Sequence, residues 1–159
     1  MTPQEFTNLY RGFLPQISSY LVRRCDQSDV EELASRVFEI AWRKRTAAPE
    51  GFELAWLYRI AGFVVANHRR AIQSEKNFLM RFRPSDYAPS AEDIALADVE
   101  LSRAWKKLSS FEREAISLTA FEGLSQQEAA KVLEISPNAF TQRLAKARKA
   151  LKANLSSKN

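Results

Sequence analysis

Apolar residues recur at helical spacing along most of the chain. Separations of three and four residues place them on one side of a helix, and the clearest stripe runs from Asp29 to Lys44. No stretch of useful length alternates between apolar and polar residues as a strand does. The pattern therefore predicts an all-α fold. The other stripes occupy residues 3–25, 52–76, 90–108, 109–123 and 125–151.

Helix-start signals divide these stripes into elements. At several places Ser or Thr is followed three residues later by Glu, the spacing of a capping box, in which each side chain accepts a hydrogen bond from the other residue's backbone N–H. Pro15 is expected to kink or split the first helix, and Ser90 is expected to cap one helix that continues to Leu108. The capping boxes predicted in this way are Thr2–Glu5, Ser28–Glu31, Ser109–Glu112 and Ser125–Glu128.

The helical period is lost between about residues 73 and 90, where the chain carries two prolines and three serines. Such a composition indicates a linker. Phe78 and Leu79 are apolar enough to dock on the protein or on a partner. We therefore predict two small helical domains, residues 1–75 and 91–159, joined by a linker over residues 76–90.

The second domain ends in two helices separated by a very short turn. Ser136 and Pro137 restart the helix a few residues after Leu133, with serine as N-cap and proline at the first helical position. This is the pattern of a helix-turn-helix. Residues 137–159 hold six of the chain's 24 Lys and Arg and none of its 19 Asp and Glu. Nearly all of the net charge of +5 therefore lies in this last stretch.

The basic helix allows two interpretations. Cations near a helix C-terminus interact favourably with the helix dipole, so the run is compatible with an ordinary solvated end. Asn138, Thr141 and Gln142 lie in its first turns, however, and can hydrogen-bond base edges, which favours DNA binding. Aromatic residues and arginines are also interleaved over residues 52–76, as in single-strand-binding surfaces, although a core with a solvated face produces the same pattern.

Composition argues against several other functions. Hydrophobic residues make up 45% and charged residues 27% of the 159 residues, as in globular proteins. No apolar run approaches the roughly 20 residues of a membrane span, and the N-terminal residues lack the layout of a signal peptide. We therefore expect a cytoplasmic protein without membrane insertion.

Catalytic and cofactor-binding motifs are missing from the sequence. The single cysteine, Cys25, and the single histidine, His68, are too few for a disulfide or a zinc site. The four glycines form no phosphate-binding loop. We expect no enzyme activity, no cofactor and no metal, with Cys25 a helix-end or partly buried thiol and His68 a surface or DNA-facing residue.

Two sets of motifs occur together in this chain. The segments DVEELASRVFEIAW, from Asp29, and AWLYRIA, from Ala55, precede GLSQQEAAKVL, from Gly123, and RLAKARKAL, from Arg143. In this order and spacing they resemble a bacterial RNA polymerase sigma factor of the extracytoplasmic-function group of the sigma-70 family. The resemblance covers about residues 6–152. It implies a transcription initiation factor that binds core polymerase, recognises the promoter −35 and −10 elements and helps to melt the DNA.

The resemblance also implies roles for individual residues. The β′ clamp helices of the polymerase, with its β subunit, would bind Asp29, Glu32, Leu33, Ser35, Arg36 and Phe38. The −10 element would contact Arg45, Trp56, Arg59, Asn67, Arg69 and Arg70. The −35 element would contact Asn138, Thr141, Gln142, Arg143, Lys146, Arg148 and Lys149.

Further expectations follow from the same resemblance. A loop near residues 46–54 would hold a flipped base, the linker would thread toward the RNA exit channel, and an anti-sigma factor would regulate the protein. The chain departs from the family pattern at Ser35-Arg36, at Gly62-Phe63, at Asn67 and at Glu134, where the family often has glycine in the turn. Glu134 therefore implies some backbone strain or a slightly different turn.

Two other functions remain open from the residues alone. One is a conventional helix-turn-helix regulator whose N-terminal domain dimerises or senses a signal, and the other is a protein-interaction adaptor with a solubilising basic tail. Under the sigma-factor interpretation, Arg143→Ala or Lys146→Ala should weaken promoter use. Leu33→Asp should weaken polymerase binding without abolishing folding.

Overall fold

The computed structural model describes residues 1–73, 87–94 and 98–156, and every regular element in these ranges is helical. This confirms the predicted all-α fold. The chain divides into two compact units, Met1–Phe82 and Arg83–Asn159. Residues 74–86, which include the apolar Phe78 and Leu79 and most of the predicted linker, lie outside the described ranges.

The first unit is a three-helix arrangement around one core. Helices α1 (Pro3–Val22), α2 (Val30–Arg43) and α3 (Glu53–Gln73) each present an apolar side to the other two. Short 3-10 turns precede α2 at Gln27–Asp29 and follow it at Arg45–Ala47. The fully buried apolar side chains at the centre of this unit include Ile17, Tyr20, Leu21, Leu33, Val37, Leu57, Ala61 and Val65.

The N-terminal ends of α1 and α2 differ in how they are capped. The Thr2–Glu5 capping box is confirmed, with Glu5 N–H donating to Thr2 Oγ1 at 3.1 Å and Thr2 N–H donating to Glu5 Oε2 at 2.8 Å. The Ser28–Glu31 box is wrong, because Ser28 lies in the 3-10 turn Gln27–Asp29 and α2 begins at Val30, with Asp29 as its N-cap and no side-chain capping hydrogen bond. Helix α1 also continues through the exposed Pro15, which does not split it.

The second unit contains the remaining helices. They are α4 (Ala91–Ile94), α5 (Val99–Lys106), α6 (Ser110–Ile116), α7 (Gln126–Leu133) and α8 (Pro137–Ser156), with one π-helical turn at Ser117–Phe121 after α6. The predicted single helix from Ser90 to Leu108 is wrong. Ser90 caps α4, but Asp98 is extended and accepts hydrogen bonds from Glu100 N–H and Leu101 N–H, so a new helix begins there.

The segment before α4 packs firmly on the second unit. The Pro89 carbonyl accepts hydrogen bonds from the Trp105 indole and from Arg113 Nε, both at 3.1 Å. Burial lowers the pKa of the Arg113 guanidinium, and the nearby carboxylates of Asp93 and Glu114 oppose this shift. The guanidinium remains charged at neutral pH, since its ordinary pKa is so high. Residues 87–90, assigned to the linker by composition, are thus held against α5 and α6.

Candidate nucleic-acid interface

The helix-turn-helix is formed by α7 and α8. The Ser125–Glu128 capping box starts α7, and Ser136 Oγ accepts from Ala139 N–H at 3.1 Å to start α8. Glu134 between them is left-handed, with φ 58° and ψ 40°, and it is the one non-glycine residue with positive φ in the described ranges.

The turn is a Schellman motif with glutamate at the position that usually carries glycine. Ile135 N–H donates to the Ala130 carbonyl at 3.0 Å, and Glu134 N–H donates to the Lys131 carbonyl at 3.3 Å. A side chain in the left-handed region costs about 1 to 2 kcal/mol. The backbone strain expected at Glu134 is therefore present.

Helix α8 separates a buried side from a polar one. Phe140, Leu144 and Ala147 are fully buried against the rest of the unit. The opposite side carries Asn138, Gln142, Lys146 and Lys149, which fall within about 80° of arc on an ideal helix. All four are exposed, and α8 contains no acidic residue. We call these four residues the α8 face.

The other predicted residues of α8 lie at the edges of the α8 face. The Thr141 hydroxyl contacts Gln126 Oε1 of α7 and also the Pro137 carbonyl. The Arg143 guanidinium lies 4.7 Å from the centroid of the Phe111 ring of α6. Arg148 is exposed on the same edge as Thr141. Gln126 was missed by sequence reasoning because only the packing of α7 on α8 brings it to this surface.

Helix α3 presents a second surface with nucleic-acid-binding chemistry. Trp56, Arg59, Asn67 and Arg70 fall on one side of the helix together with Phe63, within about 80° of arc. Phe63 is 43% exposed. We call these five residues the α3 face. Sequence reasoning missed Phe63 because aromatic residues in a helical stripe are usually core, although its spacing from Arg59 and Asn67 matches the polar stripe.

Two arginines that were also predicted to contact the −10 element, Arg69 and Arg45, lie outside the α3 face. Arg69 Nη2 donates to the Arg24 carbonyl at 2.9 Å, which ties the end of α3 to the end of α1. The Arg45 guanidinium lies 3.8 Å from the Trp42 ring centroid, and Arg45 Nη1 donates to the Trp42 carbonyl at 2.8 Å. Both arginines thus have structural contacts within the unit.

Among the α2 residues predicted to dock on a partner, some are exposed and others are buried. Glu32, Ser35 and Arg36 are exposed, with Arg36 Nη2 donating to Glu32 Oε1 at 2.7 Å. Leu33 is fully buried and Phe38 is 4% exposed. The assignment of these two side chains to an exposed docking surface is wrong, because they complete the core under α2. The exposed side of α2 is therefore polar.

His68 and Asp29 join α3 to the start of α2. His68 Nε2 lies 3.2 Å from Asp29 Oδ2, so a protonated Nε2 donates to the carboxylate. Both side chains are partly buried, which corrects the expectation that His68 is a surface or DNA-facing residue. Cys25 is partly buried at the end of α1 and its thiol donates to the Leu21 carbonyl at 3.1 Å, as expected.

The described ranges offer no group of three or more His, Cys, Asp or Glu side chains that could hold a metal. Within the same residues, no helix is both long enough and apolar enough to cross a membrane. The surfaces with distinctive chemistry in these ranges are therefore the α8 face, the α3 face and the exposed polar side of α2.

Comparisons with known proteins agree in both sequence and fold. A family model described as "Sigma-70, region 4" matches residues 98–151, which contain α5, α6, α7 and most of α8. The RNA polymerase sigma factor NccH of Alcaligenes xylosoxydans xylosoxydans is 30% identical over 145 residues, covering 82% of this chain and 75% of that protein. The ECF RNA polymerase sigma factor SigC of Mycobacterium tuberculosis is 34% identical over 105 residues, covering 62% of this chain and 55% of that protein.

A solved structure shows the same fold. It contains the sigma factor RpoE in complex with the anti-sigma factor NepR from Bartonella quintana, and it matches with a TM-score of 0.64 and 22% identity. The match covers 98% of this chain and 99% of that chain.

Proposed function

The chain belongs to the sigma-70 family of RNA polymerase sigma factors, in its extracytoplasmic-function group, and on this premise we propose which of its surfaces bind the polymerase and which bind the DNA. A sigma factor of this kind directs RNA polymerase to promoters and catalyses no reaction itself. The family membership therefore favours this function over a conventional regulator or an adaptor.

The α8 face enters the major groove of the −35 element. Its amides can read base edges, since Asn and Gln form bidentate hydrogen bonds with adenine. Lys146 and Lys149 supply phosphate contacts on a helix without acidic residues. Thr141, Arg143 and Arg148 lie at the edge of this face and contact the DNA backbone. The observation that carries the assignment is the exposure of this polar side opposite the buried Phe140 and Leu144.

The α3 face binds the −10 element after melting. Trp56 offers a ring for stacking, and Arg59 and Arg70 attract the phosphates of a displaced strand. Arg45 and Arg69 support this surface from their contacts with Trp42 and Arg24. The loop of residues 46–54, which follows Arg45, receives a flipped base, whose extrusion costs a few kcal/mol that stacking must offset.

The exposed polar side of α2 docks on the β′ clamp helices of core polymerase. Glu32 and Arg36 are paired at its surface, and Ser35 lies beside them. Asp29 is held at the start of the helix by His68. These exposed side chains support a polar contact that is sensitive to charge.

We also propose an anti-sigma factor as a regulatory partner and the cytoplasm as the place of action. The support for the partner is the fold shared with RpoE, whose solved structure contains an anti-sigma factor. Affinity purification of the tagged chain, followed by identification of co-purified proteins, tests this proposal. Recovery of core polymerase without a further stoichiometric partner would speak against it.

Reconstituted transcription tests the main assignment. The purified chain is added to core RNA polymerase from a matched host, and run-off transcripts from a random DNA library are sequenced. We expect transcripts that begin downstream of one shared pair of DNA elements, and neither core polymerase nor the chain alone should produce them. If the chain instead binds duplex DNA as a dimer at evenly spaced half-sites and yields no specific transcript, it is a conventional regulator.

A further inference from the structure

We propose that Thr141 of α8 reads one thymine of the −35 element through its γ-methyl group. Gln126 of α7 is the positioning residue that holds the Thr141 side chain in the orientation this contact needs. The inference rests on the proposed function of α8 and names the chemical group and the base for one of its DNA contacts. Its starting point is the pair of contacts that the Thr141 hydroxyl makes within the helix-turn-helix.

The Thr141 hydroxyl is already engaged by two acceptors of the protein itself. It donates to Gln126 Oε1 at 2.5 Å, and its oxygen lies 2.9 Å from the carbonyl oxygen of Pro137, one turn earlier in α8. A hydroxyl has one proton, so Thr141 has none left to donate to a base. The γ-methyl group is the part of this exposed side chain that remains for the DNA.

Two helices together fix the orientation of the Thr141 side chain. A threonine in a helix divides between two χ1 rotamers, because its hydroxyl can bond a carbonyl of the preceding turn. Gln126 lies in the first turn of α7, which packs on α8, and supplies a second acceptor from outside the helix. This second acceptor selects one rotamer and, with it, one direction for the methyl group.

The methyl group of Thr141 matches a feature that thymine alone presents in the major groove. Among the four bases, thymine carries a C5-methyl group on this edge, and threonine methyl groups make apolar contacts with it. The C5-methyl group lies beside the backbone of its own strand, so a side chain that contacts the backbone there also reaches it. Ala145, one turn after Thr141, is exposed as well, so the neighbouring surface of α8 is small and apolar.

Replacement of thymine by uracil isolates this methyl contact. Uracil lacks the C5-methyl group but keeps the base pairing and the phosphates, so the electrostatic part of binding does not change. In a promoter selected by the holoenzyme, each thymine of the −35 element is replaced in turn by deoxyuridine, and the affinity of the full chain with core polymerase is measured. We expect uracil at one position to weaken binding about 4-fold, the value for removing one buried group of methylene size.

Variants of the two residues separate the methyl group from the hydroxyl group. Thr141→Ser keeps the hydroxyl and should bind the thymine and uracil promoters equally, whereas Thr141→Val keeps the methyl group and should retain the preference for thymine. Gln126→Ala should reduce the preference to about 2-fold, because Thr141 regains its second rotamer. Gln127→Ala removes the neighbouring exposed glutamine of α7 and should leave the preference unchanged.

Three results would contradict the proposal. Equal binding of thymine and uracil by wild type at every −35 position, or a selected element without an A·T pair, would overturn it outright. A preference that persists in Thr141→Ser would assign the methyl contact to another residue. An unchanged preference in Gln126→Ala would overturn the positioning role of Gln126. In each case wild type still directs specific transcription, so the main assignment stands; a wild-type chain that yields no specific transcript would instead refute the proposed function.

Discussion

Replacing Leu33 by aspartate would place a carboxylate in the core formed by α1, α2 and α3, because the Leu33 side chain is fully buried. We expect Leu33→Asp to lower the free energy of unfolding by more than about 3 kcal/mol, since it removes apolar packing and buries a charge. Urea unfolding followed by circular dichroism measures this loss. Ser35→Asp is the matched control, since it introduces the same group at an exposed position of the same helix.

The two variants also distinguish core residues from docking residues. Ser35→Asp should change stability by no more than about 0.5 kcal/mol but weaken the binding of core polymerase. A folded Leu33→Asp protein of unchanged stability would contradict the burial of that side chain.

At Glu134, in contrast to Leu33, a substitution is expected to stabilise the folded protein. Its φ of 58° is unfavourable for a side chain and easy for glycine. We expect Glu134→Gly to raise the free energy of unfolding by about 0.5 to 1 kcal/mol, the relieved strain less the greater freedom of an unfolded glycine. Glu134→Val should lower it, because a β-branched residue tolerates this conformation least. Thermal melting of the three proteins measures both shifts, and a lower midpoint for Glu134→Gly would show that the carboxylate stabilises the turn.

At the scale of single elements, the exposed Lys146 of α8 leads to a prediction about DNA binding. Lys146→Ala should weaken holoenzyme binding to all promoters by a similar factor and reduce the slope of log affinity against log salt by about 0.9, the value for one lost phosphate contact. Lys106→Ala removes the same side chain from α5, where it pairs with Glu92, and serves as control. Binding measured by fluorescence anisotropy at several salt concentrations tests both. An unchanged slope for Lys146→Ala would exclude Lys146 from the interface.

Helix ends that depend only on residues nearby in the sequence were predicted correctly. The Thr2, Ser109 and Ser125 capping boxes formed because each needs only a Glu three residues later. The prediction failed where a contact distant in sequence competes. Asp29, which lies within the predicted Ser28–Glu31 box, precedes α2 and its carboxylate contacts His68 of α3. Pro89 accepts hydrogen bonds from Trp105 and Arg113.

The candidate surfaces could also be predicted only in part from the sequence. Periodicity along α8 separated Asn138 and Gln142 from Phe140 and Leu144, because one helix face is polar throughout. It did not place Phe63 on the surface, since an aromatic residue is usually core even where its spacing matches the polar stripe. It could not identify Gln126, which reaches Thr141 only through the packing of α7 on α8.

At the scale of the whole molecule, the two ligands proposed for the first unit would bind helices α2 and α3, which pack on each other and also share a hydrogen bond. Asp29 precedes α2, the helix proposed to bind polymerase, and His68 follows Asn67 on α3, the helix proposed to bind DNA. Anything that displaces one partner of this hydrogen bond alters the surroundings of the other. Binding of polymerase and binding of single-stranded DNA are thus expected to be coupled through this hydrogen bond.

By thermodynamic linkage, each ligand changes the affinity of the chain for the other ligand by the same factor. If bound polymerase raises the affinity of the chain for a −10 oligonucleotide by some factor, the oligonucleotide raises the affinity for polymerase by the same factor. We expect that factor to be about 5 or more in the wild-type chain and to fall toward 1 in His68→Ala, with His68→Asn, which retains a donor, in between. Titrations of labelled polymerase with and without the oligonucleotide measure it. An equal factor in all three proteins would mean that the coupling does not depend on this hydrogen bond, whereas its loss in His68→Ala would identify the His68–Asp29 hydrogen bond as the link between polymerase binding and DNA binding.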